Sequence, residues 1–137
     1  MKELADHLAS DFDNRNFGVY DTSDDALRTI YYGEWGDDTA EGLLVVSSPS
    51  PPPHQYIDTE YTVVDIFGIS PHTDRAINLL RQVYNAYDRA YGYTLGDWYV
   101  YNSHALGTII DTGRTRENSK EFKLSVQFRC RNLYNVS

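Results

Sequence analysis

Residues 70–92 read SPHTDRAINLLRQVYNAYDRAYG. Ala76, Ile77, Leu79, Leu80, Val83, Tyr84, Tyr87, Ala90 and Tyr91 follow a 3.6-residue period, while Asn78, Arg81, Gln82, Asn85 and Arg89 fall mostly on the other face. Ser70 offers an N-cap, Pro71 suits the first helical position and Gly92 suits a stop. The spacing predicts one amphipathic helix over 71–91. Outward from it, both flanks read as strands. Upstream, IDTEYTVVDIF (57–67) is rich in β-branched and aromatic residues. Downstream come an aromatic strand, DWYVY (97–101), and the alternating FKLSVQFRC (122–130), in which Phe122, Leu124, Val126, Phe128 and Cys130 share one face. Further out, LRTIYY (27–32) and the apolar LLVV (43–46) are strands joined through a hairpin tip at 34–41. Residues 2–12 carry an apolar stripe, Leu4, Ala5, Leu8, Ala9 and Phe12, of a short helix. Runs of strands broken by one amphipathic helix predict an α+β fold. It should be a mostly antiparallel sheet, with one long helix on one face and a short N-terminal helix. The polar phase of 122–130 predicts a sheet covered on one side only.

The connections are read by composition. Residues 47–53, SSPSPPP, form a stiff surface segment that cannot join a central sheet. Residues 105–121 read as a long irregular connection, basic in its middle, and 132–137 as a tail. The 137 residues fit a single domain, 1–137. With 41% apolar and 14% aromatic residues, disorder is excluded. The single Cys130 excludes a disulfide framework or a multi-cysteine metal site, and its phase predicts a buried thiol. No apolar run of about 18 residues exists to span a membrane. The acidic start MKELAD lacks a signal-peptide pattern, so synthesis in a reducing cytoplasm is expected.

Charge is unevenly placed. Residues 1–60 hold thirteen acids and three bases, whereas 61–137 hold seven acids and nine bases. The overall charge of −8 argues against general nucleic-acid affinity, although Arg114, Arg116, Lys120, Lys123, Arg129 and Arg131 form a local basic run. One reading of the split is ordinary solvated loop charge. The other is self-complementarity, an acidic side meeting a basic side of the next copy.

Catalytic patterns are sparse. The chain has no phosphate-binding loop, no G-x-G-x-x-G, no G-x-S-x-G and no H-E-x-x-H. His7, His54, His72 and His104 fall in different elements, and Asp24-Asp25 and Asp37-Asp38 lack the spacing of an EF-hand. Neither metal nor cofactor is expected. Asp37, Asp38 and Glu41, in the 34–41 tip, are placed for an intersubunit contact. Tyr84, Tyr87 and Tyr91 are read as core packing on the helix. Tyr31, Tyr32, Tyr99 and Tyr101 put aromatic rings on both faces of strands, more than one small core needs. Tyrosine suits surfaces that are wetted before assembly and buried after it.

The order of elements, the proline-rich break, the single long helix and the segment 106–131 together carry a resemblance. That segment begins LGTIIDTGR and ends in the alternating FKLSVQFRCR. It resembles the tail terminator (tail completion) and minor capsid proteins of long-tailed bacteriophages, in which a Leu-Gly-x-Asp-x-x-Gly-Arg-like stretch precedes a final strand. Here Asp111 follows Gly107 by four positions. The resemblance covers roughly residues 27–131. It implies a virion protein of the tail or neck, forming a homohexameric ring on the tail tube. Such a ring stops tube polymerisation and presents the surface to which the head, through its connector, is joined. DNA passes through the ring without specific binding, and neither cofactor, catalysis nor membrane is involved. Asp111, Gly113 and Arg114 match the pre-strand motif, and they either shape a ring contact or make a plain turn. Asp37, Asp38, Glu41, Asp111, Arg114, Arg116 and Arg129 are the candidate residues for the oligomer or tube interface.

A head–tail connector or stopper is a variant of the same class. A different class is a small ligand-binding or hydrolase domain with a pocket between the sheet and helix 71–91. Tyr84, Tyr87, His72 and His104 would be its polar handles.

Overall fold

Strand β7 (Ser119–Asn132) runs through the centre of the molecule, and its inward residues Phe122, Leu124, Val126, Phe128 and Cys130 are all buried. The computed structural model describes residues 2–36, 39–47 and 60–133. Asp37, Asp38, His54, most of the proline run and residues 57–59 lie outside the described residues. The remaining elements are α1 (Lys2–Asn14), β1 (Ile30–Tyr32), β2 (Gly42–Ser47), β3 (Glu60–Ser70), α2 (Thr73–Tyr87), β4 (Ala90–Leu95), β5 (Trp98–Ala105) and β6 (Ile110–Arg116). The chain is α+β, and its described residues form two α-helices, a 3-10 turn at Asp25–Leu27 and a seven-stranded sheet ordered β1-β2-β3-β7-β5-β4, β6 also pairing β7. All pairings are antiparallel except β1 with β2.

Burial follows the alternation. Thr62, Val64 and Ile66 of β3 lie opposite Phe128, Val126 and Leu124 of β7, and all six are buried. α2 packs on β3, β7 and β5 through Ala76, Leu80, Val83 and Tyr87. It approaches β3 closely at Gly68, where a Cβ would sit 3.1 Å from Leu80 Cγ. α1 buries Leu4, Ala5, Leu8, Ala9 and Phe12 completely, the stripe its period predicts. It reaches β1 and β2 near one edge of the sheet and β4 at the other. A helix of that length spans about 20 Å, so this one lies across the strands. Both helices belong to one apolar cluster and cover the same face of the sheet.

Several boundaries differ from the sequence expectation. The helix expected over 71–91 spans fifteen residues and ends at Tyr87, and Ala90 and Tyr91 belong to a strand. The periodic pattern continues past Tyr87, but β5 supplies competing hydrogen bonds. Ser103 Oγ donates to the Tyr87 carbonyl at 2.6 Å, and Ala105 N donates to Asp88 Oδ1 at 2.9 Å. Its N-cap is His72 rather than Ser70. The 34–41 segment is not a hairpin tip, because β1 and β2 run parallel, Ile30 opposite Leu43. The irregular connection expected over 105–121 contains β6, which continues the line of β5 along the same edge of β7. Its turn into β7 places Glu117 (φ 49°) and Asn118 (φ 64°) between the paired Arg116 and Ser119, a type I′ geometry.

Two backbone positions set stability tests. A Cβ on Gly42 would lie 2.3 Å from the Thr29 carbonyl oxygen, which accepts from Leu43 N where the parallel pair forms. Gly42→Ala is expected to cost about 2 kcal/mol or more in a urea titration, because backbone cannot yield as a side chain does. Replacing Glu117-Asn118 by Asn-Gly, the residues this turn prefers, should stabilise by about 0.5–1 kcal/mol in the same measurement.

Candidate functional site

With both helices on one side, the opposite face of the sheet has no described helix over it. It carries the other phase of each strand, buried at the end that holds Leu44 and Ile69 and open towards Tyr61 and Arg129. Across the strands stand Leu44 with Phe67 and Lys123, then Val46 with Asp65 and Ser125, then Val63 with Gln127 and His104, then Tyr61 with Arg129. Ser125 Oγ donates to Asp65 Oδ1 at 2.6 Å. Tyr61 is 57% exposed, and the Arg129 guanidinium stacks over the Tyr101 ring with 5.4 Å to its centroid. Tyr101 and Tyr99 meet edge to face at 5.0 Å. This surface combines aromatic rings with cationic ends of long side chains, the composition of contact surfaces that must also be soluble.

The candidate interface residues do not converge. Arg116 Nη2 donates to the Gly36 carbonyl at 2.6 Å, and Ser119 Oγ donates to the Ala40 carbonyl at 2.7 Å. The two loops expected to face outward, 34–41 and the 105–121 segment, therefore bind each other within one chain. Glu41 Oε1 accepts from Ser70 Oγ at 3.2 Å and lies 3.7 Å from Arg75 Nη1, beside the start of α2. Asp111 Oδ1 accepts from Gly113 N at 2.8 Å, the geometry of an Asx turn, where Gly113 holds φ 78° and β6 leaves register with β7. Arg114 is exposed on that irregularity, Arg116 stands opposite Ser119 in the same phase as Lys123 and is turned to Gly36, and Arg129 is exposed on the open sheet face.

A groove of about 550 Å³ opens between α2 and the start of β6. Ile77, Tyr84, Ile109 and Phe122 supply its apolar wall, and Arg81, Asn85, Thr108 and Asp111 its polar groups. Of the four polar handles expected for a pocket, only Tyr84 lines it. Tyr87 is buried in the core, His104 is exposed on the uncovered sheet face and His72 caps α2. Among the described residues, no three His, Cys, Asp or Glu side chains gather as a metal site. Within the same residues, no helix is long and apolar enough to cross a membrane.

A polar seam joins α1 to the end of α2. The Tyr87 hydroxyl donates to the Asp11 carboxylate, which also takes Arg15 Nε at 2.8 Å, while the Arg15 guanidinium lies 5.1 Å from the Tyr87 ring centroid. Ser103 Oγ gives its proton to the Tyr87 carbonyl, so the Tyr93 hydroxyl, 2.6 Å away, is the donor to Ser103. Burial first, and the Asp11 bond second, push the Tyr87 phenol up. Burial pushes the Tyr93 phenol up to about 12. Tyr20 rises in the same way, through burial and its donation to Asp6. None of these three lines the groove. The bond to Asp11 helps raise the Arg15 guanidinium as well.

The seam left little trace in the sequence, since Asp11 and Tyr87 are 76 residues apart and neither sits in a motif. The uncovered face left a clearer one, the second phase of 122–130. The chain matches no model of a known protein family, and a search of curated proteins returns no match.

The tyrosine shifts carry a sign. A phenol raised on folding favours the protonated folded state, so its contribution is full below the unfolded value and lost as pH rises through the folded one. The urea midpoint should therefore hold up to about pH 10 and fall towards pH 12, with Tyr93→Phe flattening part of that slope. Asp11→Ala strands the buried Tyr87 hydroxyl and should cost about 1–3 kcal/mol by the same titration.

Proposed function

We propose that this chain is a structural subunit that assembles with copies of itself into a ring of the tail-terminator kind. The ring ends the phage tail tube, stops its polymerisation and presents the head-joining surface. The observation that carries the reading is the uncovered sheet face, with Tyr61 57% exposed and Arg129 stacked on Tyr101. A domain that spends tyrosines and arginines on such a face is suited to burying it against protein. In this reading α2 is the one amphipathic helix that backs the sheet, and α1 is an accessory across its strands. The partners are other copies, the tail tube protein and the head–tail connector. DNA passes through the lumen, for which a net charge of −8 is suitable, since like charge repels phosphate. Synthesis is in the bacterial cytoplasm and the mature location is the virion neck. No catalysis is part of this reading. A connector or stopper role belongs to the same class and uses the same surface.

The groove beside α2 favours a second reading, a small-ligand site, because Tyr84 and Asp111 converge there with Arg81. Its size falls within the range typical of ligand pockets.

Light scattering behind a sizing column decides between assembly and monomer. A particle of about six copies of the 15.7 kDa chain is expected, forming as concentration rises. A strict monomer that also leaves tail tubes uncapped overturns the ring and raises the ligand-site reading.

A further inference from the structure

The open edges of the sheet are poorly suited to strand pairing. β1 is three residues long. β4 carries Gly92 at φ 64°, opposite the position where β5 bulges against β7. β6 slips register between Asp111 and Thr115, with Gly113 at φ 78° and Arg114 exposed. Short strands, irregular backbone and charge are the devices that keep edges from pairing with other chains. Assembly is left to the faces.

The open sheet face and the α1 surface carry opposite charge. Lys123, Arg129 and Arg131 stand on the uncovered sheet face among the aromatic rings, and Ser125 bonds the Asp65 carboxylate there. On the helix side the excess lies around α1, where Asp6, Asp11, Asp13, Asp21 and Asp24 outnumber Arg15 and Arg28, whereas α2 carries Asp74 with Arg75 and Arg81. Asp13 Oδ2 accepts from the backbone N–H groups of Tyr20 and Asp21 at 2.8 and 2.9 Å, which draws the 20–24 loop onto α1 and gathers these acids. The helix layer lies on the far side of the sheet from the cations, so the two patches point away from each other. They cannot meet within one molecule. A two-fold dimer would set either patch against its own like charge.

Building on the ring reading, we infer that copies join head to tail, the cationic aromatic sheet face of one against the acidic α1 and 20–24 surface of the next. Such an interface is heterologous and closes into a ring when its rotation allows. The strand edges take no part in it.

The test uses two surface variants of the full chain, each checked for a wild-type circular dichroism spectrum and melt. Arg129→Glu with Arg131→Glu reverses the sheet face, and Arg129→Gln with Arg131→Gln is the milder form should the first fold poorly. Asp21→Lys with Asp24→Asn neutralises the acidic side while keeping an acceptor for Ala26 N, which Asp24 Oδ1 serves at 3.0 Å. Each variant alone is expected to raise the concentration for half-assembly by at least about tenfold, with wild-type assembly weakened by salt. An equimolar mixture of the Arg129→Gln/Arg131→Gln chain with the Asp21→Lys/Asp24→Asn chain should form a two-copy species and nothing larger. In that species the intact acidic side of one meets the intact sheet face of the other, and the two remaining ends have lost the charges that would attract a further copy. Wild-type assembly by both variants overturns this inference and leaves the ring reading standing. Loss of assembly in the sheet-face variant alone, with the acidic-side variant unaffected, overturns it in favour of a face-to-face dimer. A wild-type chain that stays monomeric at every concentration overturns the ring reading and this inference together.

Discussion

Strand β7 is hydrogen-bonded along both edges for nearly its whole length, to β3 on one side and to β5 and then β6 on the other. Its alternation therefore dictates which residues of three neighbouring strands face the helices. Because side chains alternate with a period of two, a one-residue slip would carry Phe122, Leu124, Val126 and Phe128 to the uncovered face and Lys123 and Gln127 into the core. β2 is tied in through β3, and β4 through β5. The rest of the sheet inherits its register from this one strand.

Two irregularities interrupt that regularity, and both lie on the same edge of β7. β5 shifts register between Val100 and Asn102, and β6 shifts between Asp111 and Thr115. The first brings Tyr101 under Arg129 on the uncovered face. The second forms the Asx turn of Asp111 and opens the groove beside α2. The Tyr101–Arg129 contact and the groove thus lie where the ladder departs from its repeat, while the β3 side of β7, which adds Tyr61 to the same face, is unbroken.

The helix layer depends on polar as well as apolar contacts. α1 supplies five fully buried apolar residues, but its connection to α2 also runs through Asp11, Arg15 and Tyr87. Burying a phenol is costly unless its proton finds an acceptor, and the carboxylate provides one while Arg15 balances the charge. This arrangement explains why a strongly acidic N-terminal half tolerates close packing against the sheet. Some of its acids are spent internally, on Tyr20, Tyr87 and the 20–21 backbone.

Local pattern was sufficient for the α+β class, the buried stripe of α1, the core phase of β7 and the burial of Cys130, because each rests on periodicity within a few residues. It also exposed the second phase of β7, where Lys123, Gln127 and Arg129 lie. It failed where a distant partner decides. The end of α2 at Tyr87 is set by hydrogen bonds from β5, and the parallel pairing of β1 and β2 by the close approach of Gly42 to Thr29. The inward docking of Arg116 is set by the Gly36 carbonyl, 80 residues away. Nothing in a sequence window records such contacts, so loops that read as polar and outward turn out to bind each other. Periodicity determined which residues are apolar together, and only the tertiary structure decided which polar groups are already satisfied and which remain to meet a partner.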